Sequence, residues 1–164
     1  MSPTPGRCLI LACGNTLRSD DGVGPWLCDW AADRFAADPQ VLTIARQQWT
    51  PDLAQDIASA DSVLFVDCSV ASSPGEIRLA EVAPAASNPG LATHHTGASE
   101  LLALAMELYG STPRNSLLLT IGAGSTELGE TFSPAVTAAL PEACNTLERT
   151  LQQLLLDGKS PNSI

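Results

Sequence analysis

The chain has 164 residues, of which 18 are acidic and 8 basic, for a formal net charge of −10. That length suits one ordinary domain, and at 45% apolar and 16% charged residues the composition is too hydrophobic for a disordered chain. The acidity has the wrong sign for neutralising nucleic-acid phosphates or an anionic membrane surface, so neither partner is expected.

With three Trp, three Phe and one Tyr, the core must be built mainly from Ala, Leu, Val and Ile. The five cysteines, Cys8, Cys13, Cys28, Cys68 and Cys144, are odd in number and contain no CxxC pair. A zinc ribbon or disulfide scaffold is therefore not expected, and free, mostly buried thiols in a reducing compartment are. The opening MSPTPGR carries no signal-peptide pattern, and no run approaches the ~18 apolar residues of a membrane span. The expectation is a cytoplasmic single-domain protein with frayed tails at 1–7 and 157–164.

In chain order, CLILAC at 8–13 predicts a strand buried on both faces, ending at Gly14-Asn15. A polar loop, NTLRSDDG, precedes a helix predicted over 23–37, with Ser19, Asp20 or Asp21 as its cap and Asp38-Pro39 as its stop. Residues 41–45 predict a second strand. Thr50-Pro51-Asp52 then opens a short helix through Ala58. SVLFVD at 62–67 is a third buried strand that ends on an acid. Only a few residues, 68–74, separate it from the next strand at 76–82. That is too short for a crossover helix, so this strand should run antiparallel to its predecessor or lie at an edge. Residues 84–96 form a long loop holding both histidines. A helix over 98–109 ends at Gly110, and a fifth strand spans 116–121. Ser133 and Pro134 start a C-terminal helix that Pro141 kinks or interrupts before it resumes to Leu156. Alternating strands and helices predict a three-layer α/β sandwich on a mostly parallel sheet.

Ligands of open α/β sheets bind beyond the carboxyl ends of the strands, which selects Asp20 and Asp21 after the first strand, Asp67 closing the third, and His94 and His95 in the long loop. Two carboxylates and an imidazole from separate loops have the composition of a divalent-metal site with an open position. Singly, each has an ordinary role: Asp20 caps a helix, Asp67 a turn. Asp21 points away from its neighbour and has the better claim to the cleft. One glycine of the three in a dinucleotide fingerprint and no P-loop lysine argue against nicotinamide and nucleoside-triphosphate ligands. Gly122-Ala123-Gly124-Ser125 reads as a flexible turn. Cys13 and Cys68 are small apolar filling sooner than nucleophiles, and no G-x-S-x-G elbow is present.

The stretch Ile10-Leu11-Ala12-Cys13-Gly14-Asn15-Thr16-Leu17-Arg18-Ser19-Asp20-Asp21-Gly22-Val23-Gly24 resembles the opening signature of the hydrogenase maturation endopeptidases. These trim the C-terminal extension from the large subunit of [NiFe] hydrogenases. The resemblance extends over most of 8–145, through Asp67, a histidine before the LLALA helix and the LLLTIGAGSTELGETFSPAV segment. Ala12 replaces the first glycine of the family's G-x-G-N turn, and Asp21 stands where some members carry glutamate. The resemblance implies Asp21, Asp67 and His94 as catalytic and metal-binding residues, with His95 the alternative to His94. It implies a phosphorylase/hydrolase-like α/β/α fold whose five-stranded mixed sheet has one antiparallel strand. It also implies an endopeptidase acting on a hydrogenase large-subunit precursor and recognising the nickel that the precursor carries, with no organic cofactor. The rival readings are a non-catalytic, metal-dependent chaperone for the immature subunit and a hydrolase of the same fold acting on another small substrate.

Overall fold

The computed structural model describes residues 7–86 and 97–158. Five strands, β1 (Cys8–Cys13), β2 (Val41–Arg46), β3 (Ser62–Ser69), β4 (Ile77–Glu81) and β5 (Asn115–Gly122), form one sheet in the order β2-β1-β3-β5-β4. β1 pairs in parallel with β2 and β3, β3 in parallel with β5, and β4 antiparallel with β5. The short link after β3 thus reverses the chain, as its length requires, and carries β4 past β5 to the sheet edge.

Helices cover both faces. α1 (Val23–Arg34) and α4 (Pro134–Gly158) pack on one, while a 3-10 turn (Pro51–Leu53), α2 (Ala54–Ala58) and α3 (Ala98–Tyr109) pack on the other. Strand alternation divides the core accordingly. Ile10, Ala12, Leu64 and Val66 face α1 and α4; Leu9, Leu11, Val63 and Phe65 face α2 and α3. Each fully buried Leu, Ile or Phe stabilises the fold by roughly 1.5–3 kcal/mol, so apolar residues at consecutive strand positions hold a helical layer on either side. Trp49 stacks edge-on against Phe65 with ring centroids 5.2 Å apart.

The elements depart from the sequence expectations at their ends. α1 stops at Arg34, not near Ala37. Its N-cap position is Gly22, without a side-chain hydrogen bond, because Ser19, Asp20 and Asp21 belong to a separate 3-10 turn (Ser19–Gly22) whose carboxylates are used elsewhere. Thr50 makes no cap bond either; its hydroxyl donates to Asp52. Gly110 ends α3 in the left-handed conformation, φ 68°, as expected.

Pro141 does not interrupt α4, which runs on through it over 25 residues. Proline withholds one helical N–H at a cost of about 3 kcal/mol. Here Pro141 and Thr137, whose carbonyl loses its donor, are both exposed and open to water. On the opposite face Val136, Ala143, Leu147, Leu151 and Leu154 are buried against the sheet, and their combined packing exceeds that cost. At the two ends of the described residues, α4 includes Asp157 and Gly158, and the Arg7 N–H donates to the Asp61 carboxylate at 2.7 Å. Among the described residues no helix is long and apolar enough to cross a membrane.

Candidate active site at the carboxyl edge of the sheet

β1, β3 and β5 all point their carboxyl ends at one rim, and the loops that follow them lock together there. The chain leaves β1 at Gly14, where φ is +151° and a Cβ would lie 1.9 Å from the Asp21 carbonyl oxygen, so only glycine lets the loop fold back on itself. Asn15 organises the return. Its side-chain oxygen accepts from the Leu17 N–H at 2.9 Å, and its own N–H donates to Asp21 Oδ2 at 2.7 Å. α1 then starts so close to the strands that a Cβ on Gly24 would meet the Cys13 carbonyl oxygen at 2.5 Å.

The same loop is zipped to the one following β5. Ser19 N donates to Gly129 O (2.8 Å), Gly129 N to Leu17 O (2.9 Å) and Asp20 N to Ser125 O (3.1 Å). The Ser19 hydroxyl donates to Glu127 O at 2.8 Å, and these bonds hold Ser19 at φ +51°.

The adjacent aspartates have different roles. Asp20 has no exposed surface, and its carboxylate is enclosed by donors: Gly124 N (2.7 Å), Ser125 N (2.9 Å) and the Ser133 hydroxyl (2.7 Å) on Oδ2, with Ser133 N (2.7 Å) on Oδ1. Burial alone would raise its pKa. The bonds from Ser133, Ser125 and Gly124 outweigh burial and hold the carboxyl below its ordinary value. Asp20 is therefore a structural tie with its acceptors spent, not a proton acceptor for chemistry. The Gly122–Ser125 stretch, read from sequence as a flexible turn, supplies two of that tie's donors. Ser133 starts α4 as expected, its hydroxyl 3.4 Å from the Val136 N–H, and also closes the Asp20 cradle.

Asp21 is half-buried and, among the described residues, its carboxylate has a hydrogen-bond partner only at Oδ2. Asp67, on β3, accepts the Cys68 N–H at Oδ1, 2.7 Å. Burial first, and then the nearby negative charge of Asp21, raise the Asp67 carboxyl from its ordinary 3.8 to about 6, against the lowering influence of the Cys13 thiol and the Cys68 N–H. The two acids expected to share a site are close enough to couple electrostatically.

Cys13, read from the sequence as small apolar filling, is a neighbour of this pair. Its signal lay in the register: Ala12 pairs with Val66, so Cys13 is level with Asp67 on the next strand, and both side chains emerge on the α2/α3 face. Burial, then Asp67, raise the Cys13 thiol strongly. Burial, then Asp21 and Asp67, push Cys68 up to about 12. Both remain protonated at neutral pH, which removes the thiolate nucleophile from consideration. All five cysteines are free.

His94 and His95 lie outside the described residues. Among the described residues no three His, Cys, Asp or Glu side chains form a metal-binding group. α3 leads through residues 110–114 into the start of β5, so its first turn lies toward the carboxyl edge. The Ala85 N–H donates to the Ser99 carbonyl in that turn at 2.9 Å.

No protein-family model matches the chain, and no curated protein sequence does either. Solved structures do. The chain is similar to the hydrogenase maturating endopeptidase HybD from E. coli at 19% identity and TM-score 0.71, covering 90% of this chain and 93% of that one. It is similar to the [NiFe] hydrogenase maturation protease HycI from Thermococcus kodakarensis at 25% identity and TM-score 0.64, covering 94% of each chain. HybD from Thermococcus kodakarensis matches at 24% identity and TM-score 0.65, over 88% of this chain and 98% of that one. The chain has the fold of the hydrogenase maturation endopeptidases, with its mixed five-stranded sheet and α/β/α layers.

Proposed function

We propose that this protein is an endopeptidase that removes the C-terminal extension of a [NiFe] hydrogenase large-subunit precursor. The observation that carries the reading is the placement of Asp21 and Asp67 near one another at the carboxyl edge of the sheet, after β1 and on β3. The fold, shared with the solved maturation proteases over about nine-tenths of the chain, supports it.

Asp21 offers a carboxylate oxygen without a partner among the described residues, and Asp67 a carboxyl whose pKa of about 6 lets it release its proton near neutrality. Hard oxygen donors of this kind, joined by the imidazole of His94 (His95 being the alternative), suit a divalent cation that arrives with the substrate. Nickel carried by the precursor supplies Lewis acidity next to the scissile peptide. The chain's own residues do the rest. The Asn15 N–H fixes the Asp21 carboxylate, the Asp20 cradle holds the loop bearing it, and Asp67, ionised at working pH, would hold the cation together with Asp21. Two protein carboxylates and one imidazole make a modest site for a free ion, so cutting waits for a precursor that has already received its metal. The compartment in this reading is the cytoplasm.

Incubation of the purified protein with nickel-loaded precursor, followed by intact-mass measurement, tests the reading. A mass loss at the subunit's C-terminus is expected, and it should vanish with Asp67→Asn, with His94→Gln and with nickel-free precursor. A stable complex without mass loss would establish the non-catalytic docking protein instead.

A further inference from the structure

The same edge of the sheet carries a cation whose charge is not paired among the described residues. Arg46 ends β2 and pairs directly with Cys13 of β1, and Cys13 is in turn level with Asp67 of β3. Parallel neighbours about 4.8 Å apart place the Arg46 and Asp67 Cα atoms about 10 Å from each other across three adjacent strands. Arg46 follows Ile44 by two positions, Cys13 follows Leu11, and Asp67 follows Phe65, so all three side chains emerge on the α2/α3 face.

Arg46 is exposed and makes no ion pair among the described residues. The one described hydrogen bond of its guanidinium runs from Nη1 to the Ala45 carbonyl at 3.3 Å. Nor does its charge contribute to the Asp67 pKa, whose causes are burial, Cys13, Cys68 and Asp21. A guanidinium has five N–H donors in a planar fork that matches a carboxylate, so most of its donor capacity remains for a ligand. It stands in a cleft of about 370 Å³ lined by Gly14, Asn15, Leu17, Pro25 and Gln47 among others. That cleft opens beside the loop whose Asn15 N–H holds Asp21. Leu17, 56% exposed, adds an apolar wall.

Building on the endopeptidase reading above, we propose that this cleft is a substrate subsite in which Arg46 binds an acidic residue of the peptide. An extended chain advances about 3.4 Å per residue, so a peptide with its scissile bond at Asp21 and Asp67 reaches the guanidinium about two or three residues away. The electrostatics give such a counter-charge a use. The chain carries −10 overall, and its reactive edge holds coupled carboxylates that repel any acidic peptide. A cation at one end of the row permits an acidic residue at that spacing and sets the direction in which the peptide lies.

The test uses precursor subunits in which Asp, Asn or Lys replaces in turn the second and third residues on either side of the cleaved bond. Peptides of the same sequences are used in a fluorescence-anisotropy binding assay. At one of these positions the wild type should favour Asp over Lys by about tenfold in kcat/KM and in affinity, and Arg46→Glu should invert that order while leaving the circular dichroism spectrum unchanged. A wild type that is indifferent to charge at all four positions, or an R46E chain that keeps the wild-type order, overturns the subsite. If no precursor is cut, the endopeptidase reading falls, and the anisotropy order alone then decides whether Arg46 binds an acidic peptide.

Discussion

Replacing Asp67 with asparagine should stabilise the metal-free protein at neutral pH while abolishing its activity. The Asp67 carboxyl titrates at about 6 in the folded chain, against 3.8 ordinarily, because ionising it strands a charge in a half-dry position near Asp21. A folded pKa above the unfolded one means the native state binds more protons between these values. Stability then falls as pH rises from about 4 to about 6, and above that the full cost is present. Two pK units correspond to about 3 kcal/mol, which partial solvent access reduces to about 2 kcal/mol. Asparagine keeps the oxygen that accepts the Cys68 N–H and carries no charge, so it escapes this cost. In a chain of this size 2 kcal/mol is a Tm rise of about 4–8 °C. Thermal unfolding followed by circular dichroism in the presence of chelator, from pH 3.5 to 8, measures it. Variant and wild type should coincide near pH 3.5, separate as pH rises from about 4, and differ by the full amount above about 6. A separation independent of pH, or an asparagine variant less stable at pH 7.5, would refute the reasoning.

Three further outcomes follow from the site's geometry. Asp20→Ala strips the partners from donors packed around a fully buried carboxylate and should cost about 3 kcal/mol in urea unfolding at pH 7. Because its folded pKa lies below the ordinary value, this contribution is present above about pH 4 and disappears as pH falls through the lowered pKa, so the two urea curves should converge in strong acid. Gly14→Ala forces a methyl group against the Asp21 carbonyl and should cost about 2–3 kcal/mol with faster amide exchange at Asn15, whereas Ala12→Gly within β1 should cost only about 1 kcal/mol and leave Asn15 protected. Native protein at pH 7.5 should resist iodoacetamide, since a Cys68 thiol at about 12 has roughly a thousandfold less thiolate than an ordinary cysteine; rapid labelling of Cys13 or Cys68 by mass spectrometry would contradict the raised thiols.

The aspartate pair shows how a local pattern can name candidates without assigning their roles. Asp20 and Asp21 are neighbours in an unremarkable polar loop, and either one caps a helix or lines a cleft on sequence grounds. Their difference comes from residues more than 100 positions away: Gly124, Ser125 and Ser133 surround Asp20 and leave Asp21 facing the strand ends. In the same way no spacing rule links Cys13 to Asp67 or Arg46 to either. Strand order and register make them a row.

Local chemistry was enough to locate the strands, because continuous apolar runs such as CLILAC and SVLFVD are tolerated only where both faces of a sheet are covered. It also placed α3 with its Gly110 stop and the reversal before β4, which chain length alone dictates. The strand-end rule for α/β sheets then marked Asp21 and Asp67. Tertiary structure decided what depends on distant partners: the continuity of α4 through Pro141, held by packing on the far face; the spent acceptors of Asp20; and the raised carboxyl of Asp67. Burial and the charge of a neighbouring loop set that last property, and neither exists until the sheet has assembled.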